Sequence, residues 1–244
     1  MPALPHGHGS GSNSGYMVAD QERMTRARNY FAWQSRLVRP YLGRRVLEAG
    51  CGIGNFTRHL LDREAVIAVD IEADCVEVLR RRFAAYAHVH PVVCDLLAPE
   101  FGMLQRYRPD TCLCTSVMEH TADDLAALQA MAGVIEPGGR IVLLVPAFPA
   151  LYGPIDRKLG HFRRYRISAI RQLAARAGLA VRKAHYVNAA GFFGWWINAH
   201  ILKLEAQSER QIAVFDRWMV PPLAVLEAIV RPPFGQSMLA VLEK

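Results

Sequence analysis

Short apolar segments alternate with amphipathic and turn-rich segments between residues 45 and 145, and this alternation limits the fold to a single class. The predicted strands are residues 45–48, 65–69, 89–94, 111–116 and 140–145. The helices predicted between them are residues 55–62, 73–85 and 123–134. Strands that alternate with helices form a parallel sheet, because each crossover helix covers one face of it. The sequence therefore predicts an α/β fold.

The residues before this core follow other patterns. Residues 1–18 are rich in Gly, Ser and His, and we expect them to be a disordered leader because they can bury almost nothing. Residues 21–39 carry apolar side chains at helical spacing and end at Pro40, which predicts an amphipathic helix. We expect residues 19–42, which contain this helix, to form a cap on the core.

The chain changes character after the core, which we assign to residues 43–146. The next segment is predicted to be an irregular acceptor loop at residues 147–166, followed by a helix from an N-cap at Ser168 to a stop at Gly178 and a sixth strand at residues 179–187. An apolar helical insertion, broken at Pro221-Pro222, is predicted at residues 188–234. A last strand follows within residues 235–244. The whole of 19–244 is predicted to be one domain.

Composition sets broad limits on function and location. The chain has 244 residues, a formal net charge of +7 and 52% hydrophobic residues, which suits one domain with a full core. The five cysteines form no CxxC pair, so we expect reduced thiols and a cytoplasmic protein. The N-terminus lacks the pattern of a secretory signal. The longest apolar run, residues 189–199, is shorter than the ~20 residues of a membrane span, although peripheral contact with the inner membrane face stays open.

A glycine-rich turn follows the first predicted strand and reads Glu48-x-Gly50-x-Gly52-x-Gly54. Ligands of open α/β sheets bind beyond the carboxyl ends of the strands, and glycine lets the backbone approach them closely. A dinucleotide turn would place a third glycine where Asn55 stands, so a nicotinamide cofactor is disfavoured.

This turn resembles the first motif of class I S-adenosylmethionine-dependent methyltransferases. Asp70 and Asp95 match the acidic residues that close the second and third strands of that family. The resemblance implies a Rossmann-like seven-stranded sheet, here with an N-terminal helix and a helical insertion before the last strand. It also implies that Glu48 orders the turn, that Asp70 accepts the ribose hydroxyls and that Asp95 meets the adenine amino group.

The cofactor implied is S-adenosyl-L-methionine, with S-adenosyl-L-homocysteine as the product. Residues beside the motifs and one aromatic residue on the first helix are further expected cofactor contacts. They are Cys51, Asn55, Ile71, Leu96, Thr115 and Tyr30.

The segment after the fourth strand, residues 116–121, resembles the Val-Leu-Glu-His stretch of small-molecule methyltransferases, including quinone O-methyltransferases. In that last group an acidic residue three positions before the Glu-His pair helps to hold a divalent metal. Ser116 stands at that position here, so we expect no metal. His120 is a candidate general base or substrate-orienting residue; a purely structural histidine is the alternative. Glu119 is expected to support the loop or cofactor.

The loop after the fifth strand combines Tyr152 with a Gly-His-x-Arg-Arg-Tyr stretch that resembles a subgroup of bacterial methyltransferases. His161 is the second catalytic candidate. Arginines can hold a carboxylate or phosphate, and tyrosines can stack on a ring or position a hydroxyl. The expected acceptor contacts are Tyr152, Arg163, Arg164 and Tyr165. The alternative is a solvated basic loop that docks onto Asp156.

Residues 189–204 are unusually aromatic for a helical segment. We expect Phe192, Trp195 and Trp196 to roof an apolar acceptor pocket. A homodimer interface, a membrane contact and ordinary core packing are the alternatives.

These patterns together predict methyl transfer to oxygen, nitrogen or carbon of a small lipophilic or anionic acceptor. An RNA methyltransferase would account for the basic charge, but no Asn-Pro-Pro-Tyr-like motif or separate RNA-binding module is visible, so no nucleic acid partner is expected. A protein that binds the cofactor without transferring methyl is the other alternative.

Overall fold

The computed structural model describes residues 14–206 and 208–244. Within these residues one sheet contains the strands β1 Arg45–Ala49, β2 Ala65–Asp70, β3 Val89–Val93, β4 Thr111–Thr115, β5 Arg140–Pro146, β6 Ala180–Val187 and β7 Ser237–Glu243. Their order across the sheet is β3-β2-β1-β4-β5-β7-β6. The five strands β1 to β5 are parallel to one another, and β7 runs antiparallel to both β5 and β6. The predicted seven-stranded α/β fold is confirmed.

The helices lie on both faces and at the carboxyl edge of this sheet. The α-helices of the described chain are α1 Ser14–Met24, α2 Arg28–Val38, α3 Ala73–Arg82, α4 Asp124–Val134, α5 Pro154–Lys158, α6 Ile167–Arg176, α7 Ala189–Trp196, α8 Glu209–Val214 and α9 Val220–Ile229. Two π-helical segments, Ile197–Leu202 and Phe215–Met219, extend α7 and join α8 to α9.

The core lies on both faces of the sheet because successive side chains of a strand point to opposite sides. On one face Leu47 of β1 belongs to a cluster that includes Met131 of α4 and Ile170 of α6. On the other face Val46 of β1 belongs to a cluster with Leu79 of α3. Burial on both faces explains the nearly continuous apolar composition of the strands.

The N-terminal region differs from the prediction of one helix over residues 21–39. It forms α1 and α2, which are separated at residues 25–27. The Asp216 carboxylate accepts hydrogen bonds from the backbone amides of Asn29 (3.3 Å) and Tyr30 (2.8 Å), so it satisfies donors at the start of α2. Since α1 begins at Ser14, residues 14–18 of the expected leader are helical; residues 1–13 of it lie outside the described chain.

The segment after the glycine turn does not form the helix predicted over residues 55–62. It contains only a 3-10 turn at Thr57–His59. Side chains here bond to distant groups: the Thr57 hydroxyl donates to Glu48, and the Asn55 amide donates to the carbonyl of Gln21. Polar side chains with such partners compete with regular helix formation.

The later elements agree with the prediction in kind and differ at their ends. The helix expected from an N-cap at Ser168 begins two residues earlier, because Arg166 occupies the cap position and Ile167 is the first helical residue. Pro221 and Pro222 do not break the insertion. They lie in the first turn of α9, directly after a π-helical segment, where an irregular backbone ladder accommodates the missing amide donors. In the described part of the chain, no helix has the length and apolarity that crossing a membrane requires.

Candidate functional site

The glycine turn leaves β1 at the carboxyl edge of the sheet, where β1 lies between β2 and β4. The strand order reverses at this point, and ligands of open α/β sheets bind there. Gly50 and Gly54 have φ of +78° and +86°. A Cβ atom on Gly50 would overlap the side chain of Val117, and one on Gly54 would overlap Phe83. Both positions therefore need glycine for conformation and for space.

Glu48 lies buried beneath this turn. Its Oε2 accepts a hydrogen bond of 2.6 Å from the Thr57 hydroxyl, whereas its Oε1 is buried without a partner in the described chain. Burial raises the pKa of Glu48 to about 8, and the nearby Asp70 carboxylate adds to the shift. The carboxyl group thus links β1 to the segment after the turn through Thr57.

Asp70 ends β2 beside the turn. Its carboxylate accepts hydrogen bonds from the backbone amides of Gly52 (2.7 Å) and Glu72 (3.0 Å). Burial raises the pKa of Asp70, and these bonds oppose the rise. Ile71, the next residue, exposes 60% of its surface. This edge therefore offers an acceptor group beside an open apolar surface.

The remaining expected cofactor residues lie along the same edge of the sheet. Asp95 is exposed after β3 and accepts the amide of Leu97 (2.9 Å), while Leu96 packs against the core. Cys51 is buried within the turn, and Thr115 ends β4 half-buried. The structure thus brings all four to the carboxyl edge.

Helix α1 covers the glycine turn. The Asn55 amide donates to the carbonyl of Gln21 (2.7 Å), and Thr25 donates its hydroxyl to the Asn55 carbonyl (2.9 Å). A Cβ on Gly52 would lie 3.0 Å from the Gln21 side chain. Gln21 and Thr25 were not among the predicted site residues. Their helix was predicted, but nothing local to it indicates a bond to Asn55.

Tyr30 lies away from α1, on α2. It packs against Trp33 of the same helix and against Phe215, whose ring centroids lie 6.0 and 6.3 Å from its own. Burial raises the pKa of Tyr30 above its ordinary value. These partners belong to α2 and to the insertion, so a cofactor contact of Tyr30 stays a prediction.

Two segments that are distant in sequence meet above β4 and β5. The Phe162 amide donates to the carbonyl of Glu119 (2.7 Å), and the Tyr165 hydroxyl donates to the carbonyl of Met118 (3.1 Å). These bonds place the rings of His120 and His161 perpendicular to each other, with centroids 4.6 Å apart. The two catalytic candidates therefore form one histidine pair.

Asp156, on α5, is the buried centre of the acceptor loop. Its carboxylate lies 2.9 Å from His161 Nδ1 and accepts hydrogen bonds from Arg164 Nε (2.8 Å), the Gly153 amide (3.0 Å) and Trp195 Nε1 (3.3 Å). Burial alone would raise the pKa of Asp156, but the bond to His161 and the charge of Arg164 outweigh it and hold the pKa below its usual value. Sequence reasoning had Asp156 only as a docking point for the loop.

The expected acceptor contacts of this loop are largely bonded within the protein. Arg164 is 4% exposed and stacks on Trp195, 4.7 Å from the ring centroid, while it pairs with Asp156. Arg163 pairs with Asp124 (2.7 Å). Tyr165 is 3% exposed, and Tyr152 donates its hydroxyl to the carbonyl of His161 (2.7 Å). Arg164 and Tyr165 are therefore buried and paired within the protein, and direct contact of either residue with an acceptor stays a prediction.

The aromatic insertion presents two sides. Phe192 packs edge-on against Phe148 and Phe234, with centroids 5.4 and 5.1 Å away, and Trp195 reaches Asp156. Trp196 is 44% exposed. The insertion therefore packs onto the acceptor loop through Phe192 and Trp195, and it turns Trp196 outward.

Glu119 adjoins the histidine pair and is buried. One of its carboxylate oxygens and one ring nitrogen of each histidine lie within 4.8 Å of one another. Burial raises the pKa of Glu119 to about 8, against the opposing charge of Arg164. Desolvation by the surrounding protein and the neighbouring His161 lower the pKa of His120, although the residue as a whole is exposed. The pair therefore carries at least one neutral imidazole at neutral pH.

The glycine turn at the switch point, the carboxylates ending β2 and following β3, and a last strand inserted antiparallel between β5 and β6 define a class I S-adenosylmethionine-dependent methyltransferase. The chain belongs to the methyltransferase domain family, whose model matches residues 20–184. Its cofactor is therefore S-adenosylmethionine.

Curated relatives match part of the chain. It is 29% identical over 101 residues to the ubiquinone biosynthesis O-methyltransferase of Alkalilimnicola ehrlichii, covering 41% of this chain and 40% of that protein. It is 32% identical over 101 residues to the malonyl-[acyl-carrier protein] O-methyltransferase of Serratia marcescens, covering 41% and 37%. It is 30% identical over 134 residues to the trans-aconitate 2-methyltransferase of Rhodopseudomonas palustris, covering 54% and 48%. The match thus spans less than half of each of these relatives.

Solved structures share the fold across nearly the whole chain. The methyltransferase bound to the Trm112 activator of Haloferax volcanii superposes with a TM-score of 0.63 at 16% identity, covering 95% of this chain and 97% of that one. A SAM-dependent methyltransferase of Archaeoglobus fulgidus superposes with a TM-score of 0.57 at 20% identity, covering 88% and 94%. At such identities the likeness concerns the fold alone.

Proposed function

We propose that this protein transfers the methyl group of S-adenosylmethionine to a small lipophilic or anionic acceptor held at the histidine pair. The observation that supports this proposal most directly is that the cofactor turn and the histidine pair are adjacent. Gly50 of the turn lies against Val117, and Val117 directly precedes the 3-10 turn that contains His120. A methyl donor on the glycine turn and an acceptor at His120 and His161 would therefore meet at one edge of the sheet.

In this proposal each residue at a strand end binds a different part of the cofactor. Asp70 accepts the ribose hydroxyls, and Asp95 meets the adenine amino group, since a carboxylate can accept two hydrogen bonds from a vicinal diol. The exposed surface of Ile71 supports an apolar contact with the adenine ring. The turn from Gly50 to Gly54 approaches the methionine part of the cofactor.

Oxygen is the acceptor atom that the relatives favour over nitrogen and carbon, because two of the three described above are named O-methyltransferases. The acceptor oxygen attacks the methyl carbon in line with the sulfonium sulfur. A carbon–oxygen bond forms as the carbon–sulfur bond breaks, and the electron pair of that bond stays on sulfur in S-adenosylhomocysteine. His120 and His161 hold the reacting oxygen. The proton of a hydroxyl acceptor passes to water at the histidine pair, whereas a carboxylate acceptor carries no proton to lose.

The test combines cofactor binding with acceptor screening. Titration calorimetry of the wild type with S-adenosylhomocysteine should show saturable binding, and transfer from methyl-labelled S-adenosylmethionine should appear with phenolic or carboxylic acceptors. Alanine at His120 or His161 should reduce transfer and leave S-adenosylhomocysteine binding intact. Label transferred to RNA that copurifies with the protein would overturn the small-molecule proposal, and cofactor binding without transfer to any acceptor class would favour a non-catalytic protein.

We also propose that the outer side of the insertion contacts an anionic membrane at the inner, cytoplasmic face. Among the described residues, most of the exposed large apolar side chains lie between 193 and 230, and they include Trp196, Ile201, Trp218 and Ile229. Exposed basic residues accompany them, namely Lys203, Arg210, Arg217 and Arg231. Apolar area combined with positive charge favours anionic lipid over neutral lipid.

Vesicle flotation tests this contact. The wild type should float with vesicles that contain phosphatidylglycerol and stay in solution with phosphatidylcholine alone, and Trp218→Ala should weaken flotation more than Phe162→Ala, an exposed aromatic change outside the insertion. Sedimentation as a dimer that Trp218→Ala dissociates would show that a second copy of the chain covers this side instead.

A further inference from the structure

Three side chains with metal-binding atoms converge at the histidine pair. The carboxylate of Glu119 and the rings of His120 and His161 each offer one donor atom, and these atoms lie within 4.8 Å of one another. Glu119 and His120 come from the 3-10 turn after β4, whereas His161 comes from the loop after β5. Only the fold brings this donor set together.

The ring of His161 is oriented by a carboxylate, as the rings of metal-binding histidines commonly are. Its Nδ1 lies 2.9 Å from Asp156 Oδ1, so the carboxylate orients the ring through Nδ1 and a cation would bind at Nε2. Metal-ligating histidines commonly bond through their second nitrogen to a carboxylate or a backbone carbonyl, which fixes tautomer and orientation.

Glu119 supplies an independent observation. The residue is 1% exposed, and its Oε2 has no hydrogen-bond partner in the described chain. A buried carboxylate oxygen without a partner is costly, and such groups are uncommon in folded proteins. A cation bound between Glu119 and the two histidines would satisfy this oxygen.

We propose that Glu119, His120 and His161 form a binding site for a first-row divalent cation. Two imidazoles and one carboxylate suit such ions, and three protein donors leave coordination positions open for water or an acceptor oxygen. This proposal replaces the sequence-based expectation of no metal, which considered only the segment around Ser116.

The inference rests on the proposed methyl transfer and narrows its acceptor. An acceptor hydroxyl bound to the cation loses its proton to water more readily, because the cation stabilises the resulting oxyanion. That oxygen then forms the bond to the methyl carbon as the carbon–sulfur bond breaks, and the electron pair goes to sulfur. Acceptors that bear a hydroxyl or carboxylate oxygen therefore fit the site.

The test is titration calorimetry of the metal-free full chain with Co²⁺ and Zn²⁺, in parallel with S-adenosylhomocysteine. His6 and His8 could also bind metal, so all variants are made in a His6→Ala/His8→Ala background. Glu119→Gln, His120→Gln and His161→Gln remove one ligand each and keep similar volume. His185→Gln changes a histidine outside the cluster and is the matched control; circular dichroism checks that each variant folds.

We expect one equivalent of metal per chain, with at least tenfold weaker affinity in each ligand variant and unchanged affinity in His185→Gln. Asp156→Asn should weaken metal affinity about 10–100-fold through the orientation of His161. No binding by the wild type, or binding that the ligand variants leave unchanged, would overturn the site. S-adenosylhomocysteine binding in the same samples separates the two proposals: its absence would remove the methyltransferase function while metal binding stood on its own.

Discussion

Asp156 and Arg164 form an ion pair that is closed to solvent, with 2.8 Å between Oδ1 and Nε and side chains 0% and 1% exposed. The same carboxylate bonds to His161 and to Trp195. One buried pair therefore joins the loop that carries a catalytic candidate to the aromatic insertion. Removing either side chain leaves the other buried without its ion-pair partner.

Asp156→Ala should lower the free energy of unfolding by about 3–5 kcal/mol, because it strands the buried guanidinium of Arg164. Urea denaturation measures the change. Arg39→Ala breaks an exposed ion pair with Asp62 and should cost less than about 1 kcal/mol. Equal losses in the two variants would contradict the importance of the buried pair.

Gly50→Ala should destabilise the protein by about 1–3 kcal/mol from the left-handed backbone alone, with a further loss from overlap with Val117. Adding Val117→Ala to this variant should remove the overlap and restore that part of the stability, while the backbone strain at residue 50 stays. Gly133→Ala is the control: it lies exposed on α4 with free space around a Cβ, so it should gain about 0.5–1 kcal/mol. A mutant cycle by urea denaturation measures these terms, and additive effects at residues 50 and 117 would contradict the contact.

Asp70→Asn should weaken S-adenosylhomocysteine binding about 10–100-fold, since hydrogen bonds to a charged group contribute about 1.5–3 kcal/mol. Calorimetry reports the dissociation constant directly. Asp62→Asn changes a half-exposed aspartate that pairs with Arg39 instead of the glycine turn, and it should leave the constant unchanged. If Asp70→Asn binds as the wild type does, the ribose role is lost.

Glu119→Gln should change the pH dependence of stability. The pKa of Glu119 is raised to about 8 in the folded state, so between pH 4.5 and 8 the unfolded chain loses this proton while the folded chain retains it. The wild type should therefore lose stability relative to Glu119→Gln by about 1.4 kcal/mol per pH unit across that window, with no further change above it. Urea denaturation in EDTA at pH 5, 7 and 9 measures the difference.

Glu77→Gln gives a control of opposite sign for that experiment. Arg80 and Arg81 lower the pKa of Glu77, so its stabilising effect is present at neutral pH and is lost as pH falls. A stability difference between Glu119→Gln and the wild type that stays constant with pH would show that Glu119 titrates normally.

The sheet and the cofactor turn were predictable because their signals are local. Strand limits follow the apolar segments to within one residue, and the glycine spacing marks the end of β1. The break between α1 and α2 was not, because the carboxylate that caps α2 belongs to Asp216, nearly the whole chain away. No pattern within residues 21–39 contains that information.

The acceptor loop shows the same limit at the level of side chains. Sequence gives three arginines in four positions, but not which of them turns inward. The backbone bonds of Phe162 to Glu119 and of Tyr165 to Pro146 set the path of the loop, and this path buries Arg164 and leaves Arg163 toward Asp124. Asp156 then becomes the partner of Arg164, a role visible only after the fold is known.

Helix α1 rests on the glycine turn through Asn55, with Gln21 and Thr25 as its partners. A cofactor bound along that turn would be enclosed on this side by α1. We therefore expect these hydrogen bonds to open each time S-adenosylhomocysteine is replaced by S-adenosylmethionine. At saturating acceptor, release of S-adenosylhomocysteine would then limit the turnover rate instead of methyl transfer. The lifetime of the product complex would then be a property of the N-terminal helix, remote in sequence from every reacting group.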